Sequence, residues 1–246
     1  EGSGSIIKDS KSNHNATLLQ TTHWTTSGKI GNAYNFDGSA DGATIPDNNA
    51  FDVSTYTIEA WAKPNTPGAW TSICWKGSDP AKWQLGSGDY TDYLGNDFGT
   101  STGSDWHTIQ ATGELTNNVM NYYAAIMDHP NDVQKLWKNS TAVATQNSQT
   151  GIPCTYANSS AVGIGVAGDG GYSRFSGVID EVRISNVARG NAWLKATYES
   201  GRDHFIDYGS EEPGKTLLTY NNKYVVTSTN AVSSSSTSLV DDTEAS

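Results

Sequence analysis

The stretch Phe175-Ser-Gly-Val-Ile-Asp-Glu-Val-Arg-Ile-Ser-Asn186 constrains the fold more than any other. Val178, Val182 and Ile184 alternate with Ile179, Glu181 and Arg183, and a period of two places such sets on opposite faces of a strand. One face is mostly aliphatic, with Asp180 added. The other carries the pair Glu181 and Arg183, which is cheap to hold where water reaches it. Gly177 marks a bulge or a close backbone approach. By itself the run reads as a half-buried strand.

Three further runs accompany it: Ala33-Tyr-Asn-Phe-Asp-Gly-Ser-Ala-Asp-Gly-Ala-Thr-Ile-Pro-Asp47, Tyr56-Thr-Ile-Glu-Ala-Trp-Ala-Lys-Pro64 and Val187-Ala-Arg-Gly-Asn-Ala-Trp-Leu-Lys-Ala-Thr-Tyr198. In order and spacing, and with the Gly-, Ser- and Asp-rich turn of residues 1–13, they resemble the bacterial and archaeal laminin-G-like domains of the concanavalin A-like jelly-roll superfamily. The resemblance covers roughly residues 1 to 212. It implies an all-β, two-sheet antiparallel jelly-roll sandwich with a short helix near residues 190–199. Residues 213–246 form a C-terminal extension outside that pattern. In the family a strand with aromatic residues precedes the Glu-Gly-Ser-Gly turn. Without it the resemblance implies an exposed sheet edge or groove.

Along the chain, Asn15 to Leu19 reads as a short strand. Ala33 to Phe36 and Ala43 to Ile45 flank an Asp37-Gly38 turn, a dipeptide that favours tight reversal. Trp106 to Ala111 and Asn121 to Met127 read as paired strands, and Lys135 to Thr145 as a hairpin. There Asn139-Ser140 replaces the family's usual Asn-Gly turn. Phe205 to Tyr208 reads as a closing strand. The extension carries Leu217, Leu218, Tyr220, Tyr224, Val225 and Val226 around an Asn-Asn turn. Its composition suits strands that pack on their own domain or on a neighbouring subunit, since an unpaired edge is a template for another strand.

A net charge of −11 excludes attraction to nucleic acid or anionic membrane. The sequence has no run of about 18 apolar residues and no signal-peptide pattern. Cys74 and Cys154, the only cysteines, suit either one disulfide, as extracellular export favours, or two buried thiols. Asn15, Asn139 and Asn158 head glycosylation sequons, which count only on an exported chain.

The related glucanases carry Glu-x-Asp-x-x-Glu, two carboxylates that flank a scissile bond on one strand face. That run is absent, and Glu59, Asp180 and Glu181 are isolated on framework strands. The five histidines form no ligand-like cluster. The expectation is a chain without catalysis. Structural calcium is the cofactor candidate. The resemblance implies Asp41 and Asp180, then Asp9 with Asn13, although Asp and Asn also cap turns routinely.

From Trp70 to Phe98, aromatic residues interleave with Gly, Asp and Ser, as in surfaces that stack sugars. Tyr90 and Tyr93 lie in a Gly-rich loop. Trp75 and Trp83 suit core packing, and Trp83 joins the two tyrosines as a candidate sugar contact. Two functions result. One is a non-catalytic extracellular surface protein acting in assembly or adhesion, a filament or surface-layer subunit joined to copies of itself through its C-terminal strand. The other is a carbohydrate-binding module of a larger secreted protein.

Overall fold

In the computed structural model the chain forms two compact units, Glu1–Phe205 and Ile206–Ser246. The structure describes residues 2–11, 13–20, 23–66, 68–77, 81–88, 90–99, 106–147 and 159–202, and the backbone of 215–220 and 223–228.

In the first unit the strands are β1 (Ile6–Ile7), β2 (Ala16–Leu18), β3 (Trp24–Thr25), β4 (Ala33–Asp37), β5 (Ala43–Ile45), β6 (Tyr56–Pro64), β7 (Ser72–Gly77) and β8 (Ala81–Ser87). They continue with β9 (Leu94–Gly99), β10 (Trp106–Ala111), β11 (Asn121–Asp128), β12 (Val133–Lys138), β13 (Thr141–Asn147), β14 (Val162–Ile164) and β15 (Ser176–Ser185), followed by helix α1 (Asn191–Gly201). One sheet has eight strands in the order β1-β2-β5-β14-β7-β8-β9-β10. The other has seven, in the order β13-β12-β11-β6-β15-β4-β3. The result is the antiparallel two-sheet jelly roll that the sequence implies.

Two pairings differ from the sequence expectation. β4 and β5 do not form a hairpin, and neither do β10 and β11; in each case the two strands lie in opposite sheets. At Asp37-Gly38 the cause is local. The Asp37 carboxylate accepts the N–H groups of Ser39, Ala40 and Asp41 at 2.7–2.9 Å. These bonds wind the chain through a side-chain-held turn that carries it across the sandwich, where a two-residue reversal would have kept it in one sheet.

The core lies between the sheets and is built from large buried side chains, including Phe36, Tyr56, Ile58, Trp83, Leu85, Phe98, Tyr123 and Phe175. Asn96 and Gln134 are also buried there. The Tyr56 hydroxyl bonds the Asn96 side chain at 3.2 Å, and Gln134 Nε2 donates to Asn96 Oδ1 at 2.6 Å. This polar bridge joins β9 of one sheet to β6 and β12 of the other, as buried polar groups require.

β6 alternates as its sequence predicts, with Tyr56, Ile58, Ala60 and Ala62 in the core. Its opposite face is buried too, because α1 covers it. Trp61, Tyr122, Ala124, Ile126 and Trp137 pack there around Leu194. Thr57 fixes the approach to the helix: its hydroxyl donates to the Val187 carbonyl at 2.8 Å and accepts the Arg189 N–H at 2.9 Å. Gly201 is the last helical residue.

β15 departs from simple alternation. Asp180 pairs with Trp61, and Arg183 with Glu59, so Glu181 is an extra residue opposite β6. Glu181 has φ 49°, and its N–H is taken by Asp180 Oδ1 at 2.9 Å. Ile179, Val182 and Ile184 therefore share the core side, and the face assignment from period two fails across this bulge.

In the second unit, β16 (Lys215–Tyr220) and β17 (Lys223–Ser228) pair with each other, with Leu217 opposite Val226 and Leu218 opposite Val225. The six apolar positions singled out for assembly thus lie on one hairpin. The strand expected at Phe205 to Tyr208 lies outside the described residues.

Candidate functional site

Three loops meet at the end of the sandwich where β6, β8 and β10 finish. They follow Pro64, Ser87 and Ala111. The first two are tied together by backbone. Trp70 N–H donates to Gly88 O at 3.1 Å, Ser87 N–H to Thr71 O at 2.8 Å, and Gly88 N–H to Tyr93 O at 3.0 Å. The Ser87 hydroxyl adds a bond from Thr71 N–H at 2.6 Å. The third loop joins through Leu115 N–H, which donates to Asp92 O at 3.0 Å.

These bonds hold aromatic rings in water. Tyr90 is 62% exposed and Trp70 46% exposed. Tyr93 lies beside Tyr90, with ring centroids 4.9 Å apart and planes inclined at 51°. Trp70 has φ 57°, a conformation that costs a bulky side chain about 1–3 kcal/mol and persists only where its surroundings dictate it. The strain opposes folding and the exposed rings contribute little burial to offset it, so the loop lattice has to hold them. Gln110 crosses the base of the platform, and a Cβ at Gly88 would meet its Cδ at 2.6 Å. Thr91 and Asp92 are exposed at the edge. The arrangement offers flat apolar faces ringed by hydrogen-bonding groups.

Of the sequence-predicted sugar contacts, the structure brings Tyr90 and Tyr93 together. Trp83 is corrected. It is fully buried, and its indole N–H donates to Phe51 O at 3.0 Å, so no sugar reaches it. Its place on β8, opposite the bulged β7, sends it inward. Trp75 is buried in a separate cluster with Ala167. Trp70 opens the aromatic stretch read from sequence but was not among the three candidate sugar contacts. The available signal was its position in the turn after Pro67-Gly68, where no strand periodicity claims it.

The calcium candidates lie apart. Asp180 Oδ2 accepts the N–H groups of Lys29 and Ile30 at 2.7 and 2.9 Å. Asp41 is buried, takes Asp37 N–H at 2.9 Å and contacts His23 Nδ1. Asp9 accepts from Lys11, Asn13 and His14, which brings Asn13 beside it only through its backbone. Those bonds hold the Asp9 carboxyl below its usual range, the Lys11 N–H foremost. Among the described residues no three His, Cys, Asp or Glu side chains cluster as a metal site. As placed, these carboxylates clamp turns and loops.

Glu59 is buried and accepts a hydrogen bond from the Tyr122 hydroxyl, while Glu181 pairs with Arg183 at 2.8 Å. Asn15 is exposed and its Oδ1 accepts Asp9 N–H at 2.9 Å. Asn139 turns the β12–β13 hairpin at φ 55°. Its amide is engaged at both ends, to Tyr122 N–H at 3.0 Å and to Asn121 Oδ1 at 2.9 Å. Asn158 and Cys154 lie outside the described residues. Cys74 is a free, fully buried thiol whose pKa burial pushes up to about 12. No described helix is long and apolar enough to cross a membrane.

The sequence model described as the concanavalin A-like lectin/glucanases superfamily matches residues 37–195. The chain belongs to that superfamily. Among solved structures it is similar to the CBM40 module of Ruminococcus gnavus IT-sialidase bound to alpha2,3 sialyllactose. The identity there is 16%, over 74% of this chain and 98% of that one, at a TM-score of 0.54. It is also similar to domain 4 of AbnA, a GH43 extracellular arabinanase from Geobacillus stearothermophilus, in complex with arabinotriose. There the identity is 20%, over 77% and 91% of the two chains, at a TM-score of 0.61. At these identities the likeness is one of fold. No curated protein matches the chain.

Proposed function

We propose that the chain is a non-catalytic, extracellular carbohydrate-binding module that seats a neutral glycan on the rings of Trp70, Tyr90 and Tyr93. The observation that carries this is the exposure of Trp70 and Tyr90, with the half-buried Tyr93 beside Tyr90, on loops locked to one another by backbone hydrogen bonds. Rigid rings present a sugar with a stacking face at little entropic cost, and the surrounding Gln110, Thr91 and Asp92 supply direction. The two structural neighbours are named as complexes with sialyllactose and arabinotriose, which supports a glycan as the ligand class.

Assembly through the C-terminal strands has less behind it, since those strands pair with each other. A glycan array followed by calorimetry tests the proposal. Tyr90→Ala, Tyr93→Ala and Trp70→Ala should each weaken binding roughly five- to thirtyfold, the equivalent of about 1–2 kcal/mol per lost ring contact. An array without hits, or affinities unchanged in all three folded variants, overturns it.

A further inference from the structure

A second concave surface lies on the flank of the sandwich, beside α1. It is a groove of about 300 Å³ lined by Ile30, Trp61, Arg183 and Trp193. The helix contributes Ala196, Thr197, Ser200 and Gly201 to it, small side chains that leave a trench between the larger walls. Trp193 is 48% exposed and Ile30 53% exposed, so two large apolar groups stand in water on the groove's walls. The walls are fixed. Asp180 clamps the backbone of Lys29 and Ile30, and the Arg189 guanidinium lies 4.1 Å from the Trp193 ring centre.

The charges at this groove are set against those of the whole chain, whose net charge is −11. No carboxylate lines it. Arg183 is 47% exposed and is steadied by Glu181 at 2.8 Å. The Lys29 ammonium lies 4.5 Å from the centre of the Trp61 ring and forms no ion pair among the described residues. A cation held on a ring without an ion pair retains its capacity for an incoming anion.

We propose that this groove is a second ligand site, for a sugar residue that bears a carboxylate. The carboxylate meets Arg183 and Lys29. The apolar face of the pyranose lies against Trp193 and Ile30, and the hydroxyls of Thr197 and Ser200 reach its ring hydroxyls. The site stands independently of the loop platform.

Calorimetry on the full chain with trigalacturonate, with sialyllactose and with neutral lactose tests the proposal and separates uronate from sialate sources. At least one acidic probe should bind, more weakly as salt rises, and lactose should not compete with it. Lys29→Gln and Trp193→Ala should each weaken that binding about tenfold. Tyr90→Ala should leave it unchanged, so a failed platform and a failed groove give different results. In wild-type protein the Trp193 indole N–H resonance should shift on titration. The proposal falls if neither acidic probe binds, if both variants bind as wild type does, or if the probe shifts Tyr90 and Tyr93 and spares Trp193.

Discussion

Gly201 shows how one residue sets the spacing of a surface. A Cβ there would lie 2.7 Å from Trp61 Cζ2, inside van der Waals contact with a ring that already stacks on Tyr198 at 5.7 Å. Two effects compete in Gly201→Ala. Alanine favours the helix by up to about 1 kcal/mol, less at its last position, while overpacking against a buried ring costs about 1–3 kcal/mol. The clash should win by about 1 kcal/mol, a fall in melting temperature of about 2–4 °C measured by calorimetry. Sequence could place a glycine at the helix end but not assign this job to it, because the ring it spares is 140 residues away in the chain. Trp83 is the converse case. An aromatic between polar neighbours looks the same whether it faces sugar or core, and only the register of its strand decides. The outward placement of Tyr90 was legible because a Gly-rich loop leaves a ring no core to enter.

At the level of elements, strands declared themselves wherever alternation was regular, as in β6, and the helix did so through its place after the central strand. Partners were harder to infer. Neighbours in sequence, β4 with β5 and β10 with β11, divide between sheets, and an Asp-Gly dipeptide alone does not reveal that choice, since it serves a tight reversal as well as the side-chain-held turn seen at Asp37. The hairpin of β12 and β13 was legible, and its Asn-Ser turn works because Asn139 tolerates the left-handed region and its amide ties the turn to β11. The second hairpin, β16 with β17, gives a test of the assembly alternative. Residues 1–205 and the full chain should each show by light scattering the mass of one copy of that chain. A polymer that forms only with the hairpin present would restore assembly as the main function.

For the whole molecule, burial that stabilises the sandwich also sets its tolerance to pH. Burial pushes Tyr34 up to about 12, with the nearby Asp41 charge adding to it, and burial likewise pushes Tyr123 up to about 12. A phenol whose folded pKa exceeds its unfolded value of about 10 stabilises the fold fully below that value, and the contribution is lost as pH rises through about 12. Ultraviolet titration should therefore find these phenols silent at pH 10 and released only with cooperative unfolding between about pH 10 and 12. Early, non-cooperative ionisation of every tyrosine would contradict it. The bulge at Glu181 bears on how the gene can change. Loss of one codon from a central strand normally turns its inside out. Here the strand already holds one residue too many, so deleting Glu181 should leave Ile179, Val182 and Ile184 facing inward and give a protein that still melts cooperatively. Deleting Arg183 should drive a carboxylate into the core and abolish folding, so two frame-preserving lesions two codons apart ought to have opposite fates.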